Sequence, residues 1–490
     1  MKIGASILAM GIALCATAQT KLFQEPYRPQ YHFTPPVNWI NDPNGLVYHQ
    51  GTYHLFYQFN PFGNEWGHMT WAHATSKDLL HWKQAPNALK EENGIMMFSG
   101  SAVWDKENSS GFGKSASPLV AIYTGHTDTL QTQNLAYSID GGTSWKKYAG
   151  NPVLDLHKKD FRDPNVFWYA PTKNWIMAVS QPNEHQISFY GSKNLKDWKH
   201  LSNFGPAGDT SAVWECPDLM PLPVLASNGK TKWVLYTSQN STMQYFVGEF
   251  DGQQFLSDNP AGPTLKQDHG LDYYAAVAYH QTANKDIISI GWVNSWNYAN
   301  AIPTKPWKGA MSIPRKLSLK KMGDAYQLVQ TPIDALKTLR QAPQTLPNKS
   351  LQNTETLALK GSSYEMQFRL MPGAQTQSGI RLAVGAGRYL ELGYDASKQV
   401  LYIDRSKTPS AFNARYAQLS RAEATLPNNG KIDLRIYLDA SILEVYAADG
   451  TVVMTAQLFP EPGDTGIQLF SNGGISQFEG IKFWKMGSVH

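Results

Sequence analysis

Short apolar runs separated by turn residues recur over residues 25–335 of the chain. Two of them, residues 46–48 and 53–57, flank a turn at His49-Gln50-Gly51, which predicts a β-hairpin. Similar runs follow in SPLVAIYTG, WIMAVSQ and KWVLYTSQN. Amphipathic runs rich in Leu, Ala, Glu and Lys are nearly absent, and residues 331–340, TPIDALKTLR, are the clearest candidate for a short helix. The pattern predicts an all-β protein.

A repeated segment divides this region. SKDLLHW (76–82), SIDGGTSW (138–145) and SKNLKDW (192–198) each begin with Ser, continue with a charged or turn-forming pair and end with Trp. The three copies are spaced at similar intervals, and a weaker copy, EFDGQQF, occupies residues 249–255. Repeats at this spacing, each with several short strands, are typical of β-propeller blades. Residues 25–335 have room for five such blades.

Five polar residues follow the same period. Asp42, Ser99, Asp163, Glu215 and Asp272 succeed one another at intervals close to that of the repeat, one blade each time. Equivalent positions of successive blades converge on the central axis of a propeller. We therefore expect these side chains to meet in one axial pocket.

The pattern changes in the last third of the chain. Residues 336–352 are polar and contain Pro, which predicts a linker. In KIDLRIYLDASILEVYAADG, apolar residues alternate with polar ones at Ile432, Leu434, Ile436 and Leu438. Such alternation indicates half-buried antiparallel strands, so we predict a C-terminal β-sandwich over residues 353–490.

The composition fits this organisation. A chain of 490 residues is too long for one ordinary core, and Phe, Trp and Tyr make up 12% of it, which favours strands. With 43 basic residues against 39 acidic ones and no basic tract, nucleic acid is not an expected partner. The segment GFGKS (111–115) lacks the upstream Gly of a phosphate-binding loop, because residue 108 is Asn.

The N-terminal segment, residues 1–18, has the pattern of a secretory signal. Lys2 precedes an apolar run over residues 3–14, and Ala16-Thr17-Ala18 supplies small residues for cleavage after Ala18. Cys15 offers a lipoprotein alternative, but Leu14 is a poor residue before a lipidated Cys. We expect a secreted or periplasmic protein without a membrane span. Cys216 is then the one remaining cysteine, so no intramolecular disulfide is expected.

The converging carboxylates indicate a chemistry. Two carboxyl groups that face a glycosidic bond can hydrolyse it, one as nucleophile or base and the other as proton donor. The donor must carry its proton near neutral pH, and apolar neighbours such as Trp214 and Cys216 beside Glu215 favour that form. Turn residues around Asp42 suit an ionised carboxylate, and Arg162 is expected to keep Asp163 charged. Trp39, Trp66 and Trp296 offer flat apolar faces for a sugar ring.

Three short motifs carry a family resemblance. WINDPNG (39–45), FRDPNV (161–166) and WECPDL (214–219) resemble the signature motifs of glycoside hydrolase family 32, which contains invertases, inulinases and levanases. QFNP, WGHMTWAHATSKDLLHW, FSGSAV, GLDYYAA and GWVNSWNYANAIPTKPWKGAMSIPR are similar to further family segments, in the expected order. The resemblance covers nearly the whole chain after residue 18. It implies a five-bladed propeller, a C-terminal sandwich and retaining hydrolysis of fructosides, with fructan or sucrose as substrate.

The resemblance also implies residue roles. Asp42 corresponds to the nucleophile, Glu215 to the general acid/base and Asp163 to the stabiliser of the transition state. The residues expected to line the fructosyl subsite are Asn41, Gln58, Trp66, Phe98, Ser99, Arg162 and Trp296. One departure is Asn165, where many relatives carry Lys. No cofactor or metal is expected, since His68 and His73 lack a recognised ligand spacing and lie among aromatic residues.

Several alternatives remain open from the sequence. A dedicated invertase or a fructosyltransferase would use the same site, and a carbohydrate-binding propeller without catalysis is the non-enzyme alternative, which the intact acidic residues disfavour. The full segment NSWNYANAIPTKPW favours an exo-acting fructanase.

Overall fold

A computed structural model of the chain describes residues 22–114, 117–427 and 430–490. The predicted signal segment, residues 1–18, lies outside the described residues. The strands form five small antiparallel sheets followed by one large sheet. Among the described residues, no helix has the length and apolar content needed to cross a membrane.

The five small sheets are the blades of a β-propeller, as the sequence predicts. Each blade has four main antiparallel strands in sequence order from the axis outwards, and short extra strands join blades 1, 2 and 4. Blade 1 consists of β1 (Asn38–His49), β2 (Thr52–Phe59), β3 (Thr70–Ser76) and β4 (Trp82–Leu89). Blade 2 consists of β5 (Met96–Trp104), β6 (Leu119–His126), β7 (Gln131–Ser138), β8 (Lys146–Lys147) and the added β9 (Leu154–Lys158).

The remaining blades follow the same plan. Blade 3 consists of β10 (Arg162–Tyr169), β11 (Asn174–Gln181), β12 (Gln186–Ser192) and β13 (Lys199–Phe204), with a 3-10 turn at Ala170–Thr172. Blade 4 consists of β14 (Glu215–Pro223), β15 (Thr231–Gln239), β16 (Thr242–Phe250), β17 (Phe255–Ser257) and the added β18 (Leu265–Lys266). Blade 5 consists of β19 (Tyr274–Tyr279), β20 (Ile288–Trp292), β22 (Arg315–Met322) and β23 (Ala325–Pro332), with a 3-10 turn at Ala299–Ala301. The short strand β21 (Trp307–Lys308) pairs in parallel with β1.

The hairpin and the repeated segment both have local causes. Gln50 and Gly51 join β1 to β2 with φ of 46° and 77°, and two residues with positive φ match the twist of a tight hairpin. The repeated segment is the turn between the third and fourth strands of blades 1, 2 and 3. In blade 1 the Ser76 hydroxyl accepts from the backbone N–H of Leu79, and the Trp82 indole donates to the Leu79 carbonyl. The repeat therefore caps the same turn in successive blades.

The large sheet folds into a C-terminal β-sandwich. Two long strands, β25 and β34, pair with each other and run from one layer into the other. Their hydrogen bonds therefore connect both layers into one sheet. One layer continues from β34 through β27 to β30, and the other continues through β26 to β33. The strands are β24 (Gln344–Thr345), β25 (Lys349–Lys360), β26 (Ser363–Met371), β27 (Gln377–Gly385), β28 (Arg388–Asp395), β29 (Val400–Asp404), β30 (Arg421–Thr425), β31 (Ile432–Asp439), β32 (Ile442–Ala447), β33 (Val452–Gln457) and β34 (Gly466–Lys485).

The alternation predicted in β31 is present. Ile432, Leu434, Ile436 and Leu438 are buried in the core between the two layers. On the opposite face, Tyr437 packs with Tyr446 and Val453 against apolar residues of blades 1 and 5. Strands β32 and β33 of this layer are buried on both faces, which fits their mostly apolar sequences, whereas β31 keeps polar residues at its exposed end, Asp433 and Arg435.

The connection between the domains differs from its prediction. Residues 331–340 end strand β23 and continue into a 3-10 helix over Asp334–Leu339, with no α-helix, while the one short α-helix among the described residues is Ala414–Gln418. Residues 336–352 contain β24 and the start of β25, both paired with β34. The polar side chains of this segment face solvent, while its backbone groups are satisfied by the sandwich. We propose that the sandwich begins at β24.

Candidate active site

The inner strand of every blade carries a β-bulge near its first residues. The register shifts between residues 40 and 43, 97 and 100, 162 and 165, 215 and 218, and 274 and 277. Asp163, Cys216 and Ala275, the first bulge residues of blades 3, 4 and 5, have φ of 65°, 48° and 54°. A bulge interrupts the ladder and redirects side chains, and here it does so at the same end of the propeller axis five times. This repeated distortion builds the site.

A pocket of about 250 Å³ lies at this end of the axis. Its walls include the three acidic residues Asp42, Asp163 and Glu215, and Trp66 and Trp296 are each 40% exposed at its edge. The other lining residues are Asn41, Gln58, Met69, Phe98, Ser99 and Arg162. The structure thus brings together the three acidic residues and all seven side chains expected to form the subsite.

The carboxylate of Asp42 is held from both sides. The Asn41 side-chain amide donates to its Oδ1 at 2.9 Å, and the Ser99 hydroxyl donates to its Oδ2 at 2.6 Å. Burial raises the pKa of Asp42, the hydrogen bonds from Ser99 and Asn41 oppose this, and the charge of Glu215 adds to the rise. The net direction of the pKa shift is upward, so the two hydrogen bonds offset only part of the effect of burial. The two donors fix the orientation of the carboxylate.

Asp163 is the most deeply buried of the three acids. Its Oδ2 accepts from the backbone N–H of Cys216 at 2.9 Å. Burial raises the pKa of Asp163 to about 7. The charge of Arg162 lowers this pKa, and the charges of Glu215 and Asp42 raise it. Arg162 thus acts in the expected direction on the pKa of Asp163, but burial and the charges of two neighbouring carboxylates outweigh its effect. The Cys216 Sγ lies 3.7 Å from both Asp42 and Asp163 and packs between them.

Glu215 is held by residues of the two neighbouring blades. Arg162 Nε donates to its Oε1 at 3.0 Å, and the Tyr274 hydroxyl donates to its Oε2 at 2.6 Å. Arg162 itself is fixed by Asp160 at 2.9 Å and Gln131 at 3.2 Å. Arg162, Glu215 and Tyr274 all stand directly before the bulge of their strand, and this shared position explains why they are neighbours.

Three expectations about individual residues are wrong. Asp272 does not line the pocket: it is fully buried and binds Arg405 of the C-terminal sandwich at 2.7 Å, because it precedes β19 and faces the other domain. Trp39 is also fully buried, and its indole supports Asn41 from behind at 2.8 Å. Trp214 packs in the core between blades 3 and 4 and forms no apolar wall for Glu215.

The sequence analysis missed several residues of the site. Tyr274, Met69, Gln131 and Asp160 were not selected, although Tyr274 lies just beyond Asp272 in GLDYYAA. Tyr274, two residues after Asp272, occupies the position that the blade period assigned to Asp272. The period could not show this, because the position of the bulge depends on the pairing of β19 with β20.

Among residues 22–114, 117–427 and 430–490, the side chains around these acids form no metal site. In the part of the chain that the structure describes, no group of three or more His, Cys, Asp or Glu side chains is arranged to hold a metal ion. His73 is buried and stacks on Phe56 at 4.2 Å, and His68 pairs with Glu91 on the surface at 2.8 Å. Asn165, the departure from the family pattern, lies deeper along the axis beyond the pocket.

Comparison with known proteins agrees with this geometry. Residues 32–332 match the glycosyl hydrolases family 32 N-terminal domain, and residues 335–485 match the family's C-terminal domain. The chain is 43% identical over 478 residues to a levanase of Bacillus subtilis, covering 94% of this chain and 70% of the relative. It is 38% identical over 519 residues to an extracellular exo-inulinase of Aspergillus awamori, covering 95% and 96%. The crystal structure of an exo-inulinase from Aspergillus awamori superposes with a TM-score of 0.89 at 37% identity, covering 96% of this chain and all of the other.

The fold and the site define a glycosidase built on a five-bladed propeller. The chain belongs to glycosyl hydrolase family 32, since both of its domains match that family. This confirms the enzyme class predicted from the sequence, an O-glycosyl hydrolase of the β-fructofuranosidase type.

Proposed function

We propose that this protein is a retaining, exo-acting hydrolase that releases terminal β-D-fructofuranosyl residues from fructans, levan or inulin, and from sucrose. The observation that carries the proposal is the convergence of Asp42, Asp163 and Glu215 on one small pocket with two exposed indoles at its edge. The levanase and exo-inulinase relatives support fructan as the substrate class. An extracellular relative supports action outside the cytoplasm.

The surroundings of the acids support a division of roles. Asp42 is oriented by hydrogen bonds from Asn41 and Ser99. It attacks the anomeric carbon and forms a covalent fructosyl intermediate. Glu215 is oriented by Arg162 and Tyr274 and gives a proton to the leaving oxygen, then takes one from water in the second step. Asp163 hydrogen-bonds the fructosyl hydroxyl groups, and such bonds strengthen as the oxocarbenium-like transition state forms.

The shape of the site supports exo attack. Beyond the catalytic pocket the axis holds a cavity of only about 10 Å³, lined by residues such as Pro43, Pro164 and Pro217. A space of this size holds about one water molecule at most, so a sugar chain cannot pass along the axis. A pocket closed at its lower end fits one terminal sugar unit.

Product analysis tests this proposal. Inulin, levan and sucrose are digested side by side in dilute solution, and the first products are separated by chromatography. We expect free fructose from the first minutes on at least one fructan. Early ladders of short oligosaccharides would indicate an endo-acting cleft, and net build-up of longer oligosaccharides at high sucrose would indicate a fructosyltransferase. Absence of any sugar release would favour a binding propeller.

A further inference from the structure

An arginine of the C-terminal sandwich, Arg405, binds two side chains of the propeller, Asp272 and Tyr298. Arg405 follows strand β29 and is 1% exposed. Its Nη1 donates to Asp272 at 2.7 Å, and its Nη2 donates to the Tyr298 hydroxyl at 2.7 Å. The guanidinium also lies 3.8 Å from the ring centre of Tyr416, within the sandwich. The Tyr298 hydroxyl donates in turn to Asp272, so the three side chains form a closed buried network.

The loop that contains Tyr298 forms one side of the sugar pocket. Just before it, Trp296 faces the pocket and is 40% exposed. Just after it, the Asn300 side-chain oxygen accepts from the backbone N–H of Trp66 at 3.1 Å. Tyr298 is therefore the buried anchor of a loop that carries Trp296 and, through Asn300, binds the backbone of Trp66.

Asp272 connects the same network to the proton donor. It lies close before Tyr274, whose hydroxyl binds Glu215. The segment that contains Asp272 is paired with strand β33 of the sandwich, since the backbone N–H groups of His269 and Leu271 donate to Val453 and Thr455 at 2.8 Å. A Cβ atom at Gly270 would lie 2.0 Å from the Thr455 carbonyl oxygen, so this close approach requires glycine.

We propose that Arg405 is a positioning residue for catalysis: through Tyr298 and Asp272, the sandwich sets the position of Trp296, Trp66 and Tyr274 in the pocket. The inference rests on the proposed hydrolase function. A planar guanidinium binds two partners in a fixed geometry, whereas a lysine ammonium binds as a point charge. Displacement of about 1 Å in a positioning group can reduce catalysis about 10²-fold.

Three variants test the network. Tyr298→Phe removes one hydroxyl and keeps the ring, and we expect kcat/KM on sucrose to fall about 10-fold, mainly through a higher KM. Arg405→Met leaves Asp272 without its cation, and a fall of about 100-fold is expected. Arg405→Lys should recover part of this loss. The matched control is Arg340→Met, which breaks a pair with Glu365 of two 2.7 Å hydrogen bonds at the domain connection. It should lower the unfolding temperature and keep wild-type kcat and KM.

A spectroscopic measurement makes the test independent of turnover. The protein is labelled with 5-fluorotryptophan, and the ¹⁹F resonances of Trp66 and Trp296 are assigned from the Trp66→Phe and Trp296→Phe variants. Both resonances should shift or broaden in Tyr298→Phe and stay in place in Arg340→Met. If the resonances and the kinetics of Tyr298→Phe and Arg405→Lys match the wild type, the network is only structural and the inference is wrong. If the wild type releases no fructose but the resonances still shift in Tyr298→Phe, the proposed function is rejected and the positioning role is retained.

Discussion

The hydroxyl of Tyr274 donates a hydrogen bond of 2.6 Å to Oε2 of Glu215. Burial raises the pKa of Tyr274 well above its usual value, and the charge of Glu215 acts in the same direction. The phenol therefore keeps its proton at every working pH and remains a donor. Together with Arg162 on the other carboxylate oxygen, it fixes the plane of the Glu215 carboxyl group.

Tyr274→Phe should reduce kcat on sucrose about tenfold, a part of the 10²–10⁴-fold that general acid catalysis supplies. A substrate with an activated leaving group should lose less, because its departure needs little proton transfer. The control is Tyr273→Phe, since the neighbouring Tyr273 packs in the core between blades 4 and 5 and does not reach the pocket. Equal losses on both substrates would show that Tyr274 does not act through Glu215.

Asp163→Asn should change the pH dependence of stability. The pKa of Asp163 is about 7 in the folded protein, above its usual value of 3.8. At a pH between these two values, the folded state therefore holds a proton that the unfolded chain has lost. This contribution to stability is fully present below about pH 4 and is lost as the pH rises through 7. Asparagine keeps the hydrogen-bond acceptor and has no such dependence.

The variant should therefore gain unfolding free energy relative to wild type as the pH rises from 4 to 7, on the order of 2–4 kcal/mol at pH 8. Denaturant unfolding of both proteins from pH 4 to 8 measures the difference. The exposed Asp324, changed to Asn, serves as the control for the loss of one carboxyl group. A difference that is constant or falls with pH would contradict the direction of the Asp163 pKa.

The blades and the acidic residues could be predicted because both depend on local sequence. The Ser–Trp segments form their turn through hydrogen bonds between near neighbours in the chain, as between Ser76 and Leu79. Asp42, Asp163 and Glu215 could be found without knowing their partners, because the blade period and the resemblance of their motifs to a known family both mark them.

The wrong assignment of Asp272 depends on long-range pairing. The blade period placed Asp272 on the axis, but β33 of the sandwich pairs with the segment before β19 and turns Asp272 towards Arg405. This pairing cannot be read from the local sequence. The error at Trp214 has a local cause, because adjacent residues of an extended chain point to opposite sides. Trp214 therefore packs in the core while Glu215 faces the pocket.

The proposed roles of Asp42 and Glu215 can be distinguished by the reactions that a variant of each residue still performs. Asp42→Asn removes the proposed nucleophile, so no fructosyl intermediate forms and turnover should collapse for every substrate. Glu215→Ala removes the proton donor, whose help is worth about 10²–10⁴-fold and matters most for a poor leaving group. With an activated leaving group the intermediate should still form in Glu215→Ala. Its breakdown by water is then slow, because no base takes the proton from the attacking water.

Azide tests which acid forms the intermediate, because a small anion attacks without help from a base. Added azide should partly rescue Glu215→Ala on an activated fructoside and give a β-fructosyl azide, in which two displacements at the anomeric carbon retain the configuration. Asp42→Asn should give none of this product, because it has no covalent intermediate to intercept. The measurement is turnover of both variants with and without azide, with the anomer of the product determined by NMR. Retained β-azide from Asp42→Asn and none from Glu215→Ala would reverse the two roles, and an α-azide from Glu215→Ala would show a direct displacement without a covalent intermediate.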